Sequence, residues 1–256
     1  MNRTPIVLEA EGLRLVGRLS HPQDGPEERG RPPGLVLGHG FPRGPGGAAT
    51  CGRSYPELAD RLAAETGWVI LTFNHRGTGE SPGQFSLRGW MADLRAAADA
   101  LVAQDVSAVW SAGAGTGGAL AICHAAVDER VRGVASLGAP ADFDRWQRHP
   151  DAFLSTARAV GVIRDKDFPP DPEAWAEELR EVRPLAAAAK IPPRPFLVVH
   201  GDADDQVPPT DARALADTAG AGTELRIVNE ADHLLRHDPR AVAVLMGWMA
   251  RQWPGP

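Results

Sequence analysis

The chain has little that would tie it to an oxidising compartment, a membrane or nucleic acid. Only two cysteines occur among its 256 residues, Cys51 and Cys123, so no disulfide framework is predicted and both are expected to be free thiols. No run of about 18 apolar residues appears, and no apolar segment follows Met1–Pro5, so the sequence indicates neither a membrane span nor an export signal. The net charge of -6 is spread without long runs, which argues against nucleic acid or an anionic membrane as a partner. We therefore expect a cytoplasmic protein.

The chain does contain enough apolar residues for one sizeable core. Hydrophobic residues make up 43% of the sequence, and its length does not require a second domain. Apolar runs bounded by turn residues alternate with stretches of helical spacing, which predicts an α/β fold with a mostly parallel sheet of about eight strands and helices on both faces. The predicted strands are 6–9, 13–19, 34–38, 68–73, 106–112, 131–137, 195–200 and 223–228. The predicted helices outside residues 141–192 are 54–65, 87–104, 210–219 and 238–252, together with one helix that follows strand 106–112 and its glycine-rich turn.

A long segment separates the strand that ends at Leu137 from the strand that begins at Pro195. Asp171-Pro172 is typical of a helix start, and apolar residues follow it at helical spacing. We predict that residues 141–192 form a small helical cap inserted into a single domain spanning 1–256, with a small-molecule substrate or ligand beneath it. An ordinary crossover helix with a proline-rich loop is the alternative.

The most informative stretch is a glycine-rich turn between a predicted strand and a predicted helix, Gly113-Ala-Gly-Thr-Gly117. Glycine accepts a positive φ and takes little space, so the backbone can reverse sharply there. Two motifs fit the turn. One is the dinucleotide-binding pattern G-x-G-x-x-G, completed by Gly118, with Asp142 placed to bind a ribose hydroxyl. The other is the nucleophile elbow G-x-S-x-G, with glycine at its central position, residue 115.

Four further motifs lie at the ends of predicted strands: His39-Gly40, Asn74-x-Arg76-Gly77-x-Gly79-x-Ser81, Gly201-Asp-Ala-Asp204-Asp-Gln-Val207-Pro208 and Ala231-Asp232-His233. With these motifs in this order, the chain resembles the α/β-hydrolase superfamily, in particular its small esterase-like and serine-aminopeptidase-like members. The resemblance runs from Leu35 to Trp248. It implies an α/β-hydrolase fold and the hydrolysis of a small ester, thioester or amide.

The resemblance also implies a general base and its orienting acid. His233 is similar to the family's base, and Asp204 to the carboxylate that fixes the imidazole tautomer and stabilises its charged form. Asp202 and Asp205 are close rivals for the acid, but the spacing to the following Val-Pro favours Asp204. No cofactor is implied, and no metal, because the pair His233 and His237 lacks the glutamate of a zinc-protease helix.

The other implied roles concern main-chain amides and supporting loops. The turn at His39-Gly40 directs the N–H of Phe41 inward, where the N–H of Thr116 converges on it, and the two are expected to form an oxyanion hole. Arg76 and Ser81 are expected to brace their loop rather than contact substrate. The dinucleotide motif leaves these residues unexplained, and such a motif normally opens its domain, so it is the weaker of the two readings.

Glycine at position 115 leaves the implied site without its nucleophile. Removing the nucleophilic serine from such a site costs about a million-fold in turnover. Three explanations remain open: His233 with Asp204 activates water or another base-dependent step, the protein binds a ligand without reacting, or the glycine was introduced deliberately into a serine enzyme. Four other residues could act as substitute nucleophiles, but their expected positions disfavour them: Ser111, Thr116, Cys51 and Cys123.

Overall fold

The structure is a computed structural model that describes residues 2–22 and 30–253. Its strands are β1 (Asn2–Ala10), β2 (Leu13–His21), β3 (Gly34–Gly38), β4 (Val69–Phe73), β5 (Val109–Ala114), β6 (Val131–Leu137), β7 (Phe196–Gly201) and β8 (Thr223–Val228). They form one sheet in the order β1-β2-β4-β3-β5-β6-β7-β8. β2 is antiparallel to both β1 and β4, and the remaining pairs are parallel. The predicted, mostly parallel α/β sheet is confirmed.

Helices cover both faces of this sheet. They are α1 (Tyr55–Thr66), α2 (Leu87–Val102), α3 (Thr116–Ala125), α4 (Asp144–Arg148), α5 (Pro150–Val160), α6 (Pro172–Glu181), α7 (Pro184–Ala188), α8 (Pro209–Ala219) and α9 (Pro239–Gln252). α1 and α9 pack on one face, and α2, α3 and α8 pack on the other. Every residue of β3, β4, β5 and β7 is buried, which explains why these strands are continuous apolar runs in the sequence. Within the described ranges, no helix is long and apolar enough to cross a membrane.

The central strand β5 begins and ends later than the sequence predicts. The prediction was 106–112, whereas the strand runs from Val109 to Ala114. Its ladder with β3 starts at the pair Gly34 and Val109, because β3 itself begins only after two prolines. Its last pair joins Ala114 to Leu137 of β6. The sheet therefore carries the chain to the residue that directly precedes Gly115.

The segment 141–192 contains the four helices α4 to α7. Asp171 is the N-cap of α6 and accepts a hydrogen bond from the Ala174 N–H at 2.9 Å, so the predicted helix start is present. Aromatic side chains tie the segment to the loop that follows β3. Trp146 stacks on Phe153 with ring centroids 3.9 Å apart, and Phe41 lies 5.2 Å from the Trp146 centroid. The role of this segment as a cap over a ligand stays a prediction.

Candidate functional site

The turn at the carboxyl end of β5 is sharp, and Gly115 lies at its apex. Gly115 has φ 52° and ψ -126°, a conformation that residues with a side chain rarely adopt. Its N–H donates to the Leu137 carbonyl at 2.9 Å, and α3 begins at the next residue. A Cβ built on Gly115 would lie 3.2 Å from Nε2 of His233. The space that a side chain at 115 would fill therefore lies directly against an imidazole nitrogen.

His233 is held in this orientation by Asp204. The Nδ1 of His233 lies 2.8 Å from Oδ2 of Asp204. Because an ionised carboxylate only accepts hydrogen bonds, Nδ1 carries a proton, and in the neutral imidazole the nitrogen without a proton is Nε2, which faces Gly115. The rival acids lie elsewhere. Asp202 accepts from the Glu230 N–H, and Asp205 is exposed and faces Arg43.

The Asp204 carboxylate is buried and fully engaged. Burial alone would raise its pKa, but the nearby His200 imidazole, 3.4 Å away, and hydrogen bonds from His233 and the amides of Val207 and Gln206 outweigh burial and hold the pKa well below its usual range. The two amides donate to Oδ1 at 3.0 and 2.9 Å, respectively. Asp204 is consequently an anion at neutral pH, as the stabilisation of a charged imidazole requires.

The loop after β3 lies against the turn at Gly115. A Cβ on Gly40 would lie 2.8 Å from the Ala114 carbonyl oxygen, so only glycine permits this close approach. The next residue is Phe41, and Thr116 is the first residue of α3. Among the residues that the structure describes, neither of these two N–H groups donates a hydrogen bond to the protein. The two amides predicted to form an oxyanion hole, one on the loop after β3 and one at the start of α3, are thus available to a ligand.

His39 supports this loop from inside the protein. Its side chain is buried, its Nδ1–H donates to the Gly40 carbonyl at 2.9 Å, and its Nε2 accepts from the His75 N–H at 3.2 Å. Both ring nitrogens thus have main-chain partners, and in addition Nε2 lies 3.1 Å from the Thr78 hydroxyl and Nδ1 lies 3.8 Å from the Cys51 sulfur. The geometry gives His39 a structural position behind the Phe41 amide.

Arg76 and Ser81 lie in the loop after β4, outside the pocket described below. Arg76 donates through Nε to Asp93 Oδ1 at 2.8 Å and through a terminal nitrogen to Glu11 at 2.9 Å. The Ser81 hydroxyl donates to the Asn74 carbonyl at 2.7 Å. These bonds hold the loop to α2 and to the turn between β1 and β2, and the Val16 N–H of β2 donates to the Ser81 hydroxyl at 3.0 Å.

A pocket of about 320 Å³ opens beside Gly115 and His233. Its other lining residues are Gly40, Phe41, Pro42, Arg43, Gly47, Thr50, Cys51, Arg53, Ser54, Tyr55, Ala114, Leu234 and Arg236. None of the described lining residues belongs to 141–192, the segment expected to cover a ligand. The sequence does not predict most of these lining residues, because residues 47–55 contain no recognisable motif. Arg236 lies three residues after His233, and this short separation is the one feature of the sequence that could have indicated its place in the pocket.

The structure also shows where the substitute nucleophiles and the dinucleotide-motif aspartate lie relative to this pocket. Of the four substitute nucleophiles, Cys51 is the one that lines the pocket in the described part of the chain. Cys123 is buried in α3, and burial raises the pKa of its thiol to about 12. Asp142, which the dinucleotide motif would need, is exposed and accepts from the Asp144 N–H at 2.9 Å.

The sheet order, the turn at Gly115 and the paired His233 and Asp204 are the features of an α/β-hydrolase fold. The chain belongs to the prolyl oligopeptidase family, whose family model matches residues 58–254. A search of curated proteins finds no match to the chain.

Solved structures of esterases and α/β-hydrolases share this fold over almost the whole chain. The esterase domain of a Rhodothermus marinus protein is 24% identical, with a TM-score of 0.74 and coverage of 100% of both chains. Est1E from Butyrivibrio proteoclasticus is 19% identical, with a TM-score of 0.71 and coverage of 97% of each chain. The α/β-hydrolase GrgF from Penicillium sp. sh18 is 19% identical, with a TM-score of 0.74 and coverage of 99% of each chain.

Proposed function

We propose that the protein hydrolyses a small ester, thioester or amide, with water in place of the serine hydroxyl and His233 as the general base. The observation that carries this proposal is the direction of the His233 ring. Its Nε2 faces Gly115, at 3.2 Å from the position of a Cβ. A water oxygen that donates to Nε2 sits about 2.8–3.0 Å away, in the volume that a serine side chain would occupy. Glycine at this position leaves that volume open.

The reaction then needs no covalent intermediate. The water oxygen attacks the carbonyl carbon while its proton passes to Nε2 of His233. The negative charge that develops on the carbonyl oxygen is stabilised by the N–H groups of Phe41 and Thr116. Asp204 stabilises the resulting imidazolium, which returns the proton to the leaving group as the bond to the carbonyl carbon breaks.

The test compares the wild-type protein, which keeps Gly115, with variants that each lack one histidine. Hydrolysis of 4-nitrophenyl acetate and of a small thioester is measured for His233→Ala and for His237→Ala. His237 is exposed and four residues away, so it reports the background reaction of any surface imidazole with an activated ester. We expect His233→Ala to lower the rate about a hundredfold or more, and His237→Ala to leave it nearly unchanged. Equal rates for the two folded variants would refute general-base catalysis by His233.

A second candidate function is ligand binding without reaction. The observation that favours it is Gly115 itself, because glycine relieves the backbone strain of the turn and a binding protein has no use for a hydroxyl there. Saturable binding of a 4-nitrophenyl ester, without release of 4-nitrophenol in either wild type or His233→Ala, would support this function and exclude the first.

A further inference from the structure

The permanently charged side chains among the described residues that line the pocket are all arginines. They are Arg43, Arg53 and Arg236, and no aspartate or glutamate belongs to the described lining. The chain as a whole carries a net charge of -6, so this pocket differs in sign from the rest of the protein. A concave wall of one sign concentrates ligands of the opposite sign.

The three arginines differ in how far the protein neutralises them. Arg43 lies 3.9 Å from Asp205, so its charge is partly balanced. For Arg53 and Arg236, no carboxylate oxygen lies within 4 Å among the described residues. The charges of these two arginines are therefore not balanced by a nearby carboxylate, and an external anion can pair with them.

Of these two arginines, Arg236 is better positioned to bind an anion. Its Nε–H donates to the Ser54 hydroxyl at 3.2 Å, and its guanidinium carbon lies 5.6 Å from the centre of the buried Tyr55 ring. The side chain is half-buried, whereas that of Arg53 is exposed. Within the described structure, the two terminal nitrogens of Arg236 donate no hydrogen bond to the protein. A guanidinium fixed at one end, with its terminal fork unoccupied, is suited to bind a carboxylate.

We propose that the pocket selects substrates that carry a carboxylate beside the bond to be hydrolysed, with Arg236 as the principal carboxylate ligand and Arg53 as a second one. Half-esters and half-amides of short dicarboxylic acids have this chemistry. The inference rests on the proposed function for its location, since Arg236 lines the same pocket as Gly115 and His233.

Binding to the unmodified protein tests the proposal without requiring turnover. The probes are ethyl hydrogen succinate, which carries one carboxylate, and diethyl succinate, which is neutral, both measured by titration calorimetry. The half-ester is expected to bind about tenfold more tightly, since hydrogen bonds to a charged group contribute about 1.5 kcal/mol or more. Added salt should weaken the binding of the half-ester and leave the binding of the diester unaffected.

Three variants identify the residue responsible. Arg236→Gln should remove the tenfold preference, and Arg236→Lys, which keeps the charge but loses the fork, should retain part of it. Arg132→Gln is the matched control, because Arg132 is exposed at the amino end of β6 and the change in net charge is the same. Melting temperatures establish that each variant is folded. Equal binding of the two probes by the wild type, or an equal loss of both in Arg236→Gln, would overturn the proposal.

The two proposals fail in different ways. A preference for the half-ester without any hydrolysis would leave the carboxylate site standing and refute the hydrolase function. Hydrolysis of neutral esters that depends on His233, without preference for the half-ester, would do the reverse.

Discussion

Substituting Gly115 by serine supplies the hydroxyl that the site lacks, and the structure sets the consequences for stability. With φ at 52° and ψ at -126°, any residue with a Cβ is strained here by about 1–3 kcal/mol. The new Cβ would also lie 3.2 Å from Nε2 of His233, so the ring must shift by a few tenths of an ångström. For a chain of this length, each kcal/mol lowers the melting temperature by about 2–4 °C. Gly115→Ser should therefore melt several degrees below wild type.

The same substitution should create or strongly raise esterase activity. The serine oxygen would be placed next to Nε2 and the two flanking amides, and a nucleophile in such a site is worth up to about a million-fold in turnover. The assay is the hydrolysis of 4-nitrophenyl butyrate, with an initial burst that marks the acyl-enzyme. A fluorophosphonate probe should label Gly115→Ser and not the wild type.

Gly115→Ala is the matched control for this prediction. Alanine adds the same Cβ at the same positive φ, so its melting temperature should fall as far as that of Gly115→Ser. It adds no hydroxyl, and we expect no burst and no labelling. The reasoning is refuted if Gly115→Ser is folded but inert and His233→Ala changes nothing either, because residue 115 would then not face a catalytic base.

Three further predictions concern Asp204 and the two thiols. Asp204→Asn should lower the rate that depends on His233 by about 10²–10⁴-fold, because an amide does not hold the imidazole in the required tautomer. The pKa of Asp204 lies below its usual range, so the stability that its charge contributes is complete above the ordinary carboxyl pKa of about 3.9 and is lost as the pH falls below it. The gap in melting temperature between wild type and Asp204→Asn should accordingly narrow from pH 7 to pH 3, and a constant gap would contradict this linkage. For Cys51, burial raises the thiol pKa, but the adjacent His39 outweighs burial and the net pKa is lowered. Iodoacetamide should thus alkylate Cys51 in the native protein and Cys123 only after unfolding, as peptide mapping by mass spectrometry would show; equal labelling of both would contradict the assignment.

The sheet was predictable from the sequence because its central strands are buried on both faces. Continuous apolar runs such as Val69–Phe73 have no polar alternation to obscure them, and the turn residues at their ends fix their limits to within a few positions. The resemblance to α/β-hydrolases predicted that His233 lies near Gly115, and strand direction explains why it does. Both residues follow strands of one parallel set, whose carboxyl ends meet at the same edge of the sheet.

The wall of the pocket was not predictable in the same way. Arg236 and Ser54 are 182 positions apart, and their hydrogen bond depends on the packing of α1 beside α9 across one face of the sheet. Neither residue belongs to a motif, and single-sequence periodicity contains no information on which helices become neighbours. The charge of the pocket, and with it any inference on substrate class, emerges only from that tertiary arrangement.

The His233–Asp204 pair alone does not distinguish a hydrolase from a silent binding protein. A buried carboxylate that accepts from two amides and the His233 imidazole is a stable structural element, since it ties the loop after β7 to the loop after β8. A structural role accounts for the buried Asp204 carboxylate and for its hydrogen bond with Nδ1 of His233. It does not account for the direction in which Nε2 points. That nitrogen has no hydrogen-bond partner among the described residues, and it faces Gly115, the residue at the apex of the turn. A structural histidine gains nothing from this direction, whereas a base that activates water requires it, and the direction of Nε2 therefore favours catalysis.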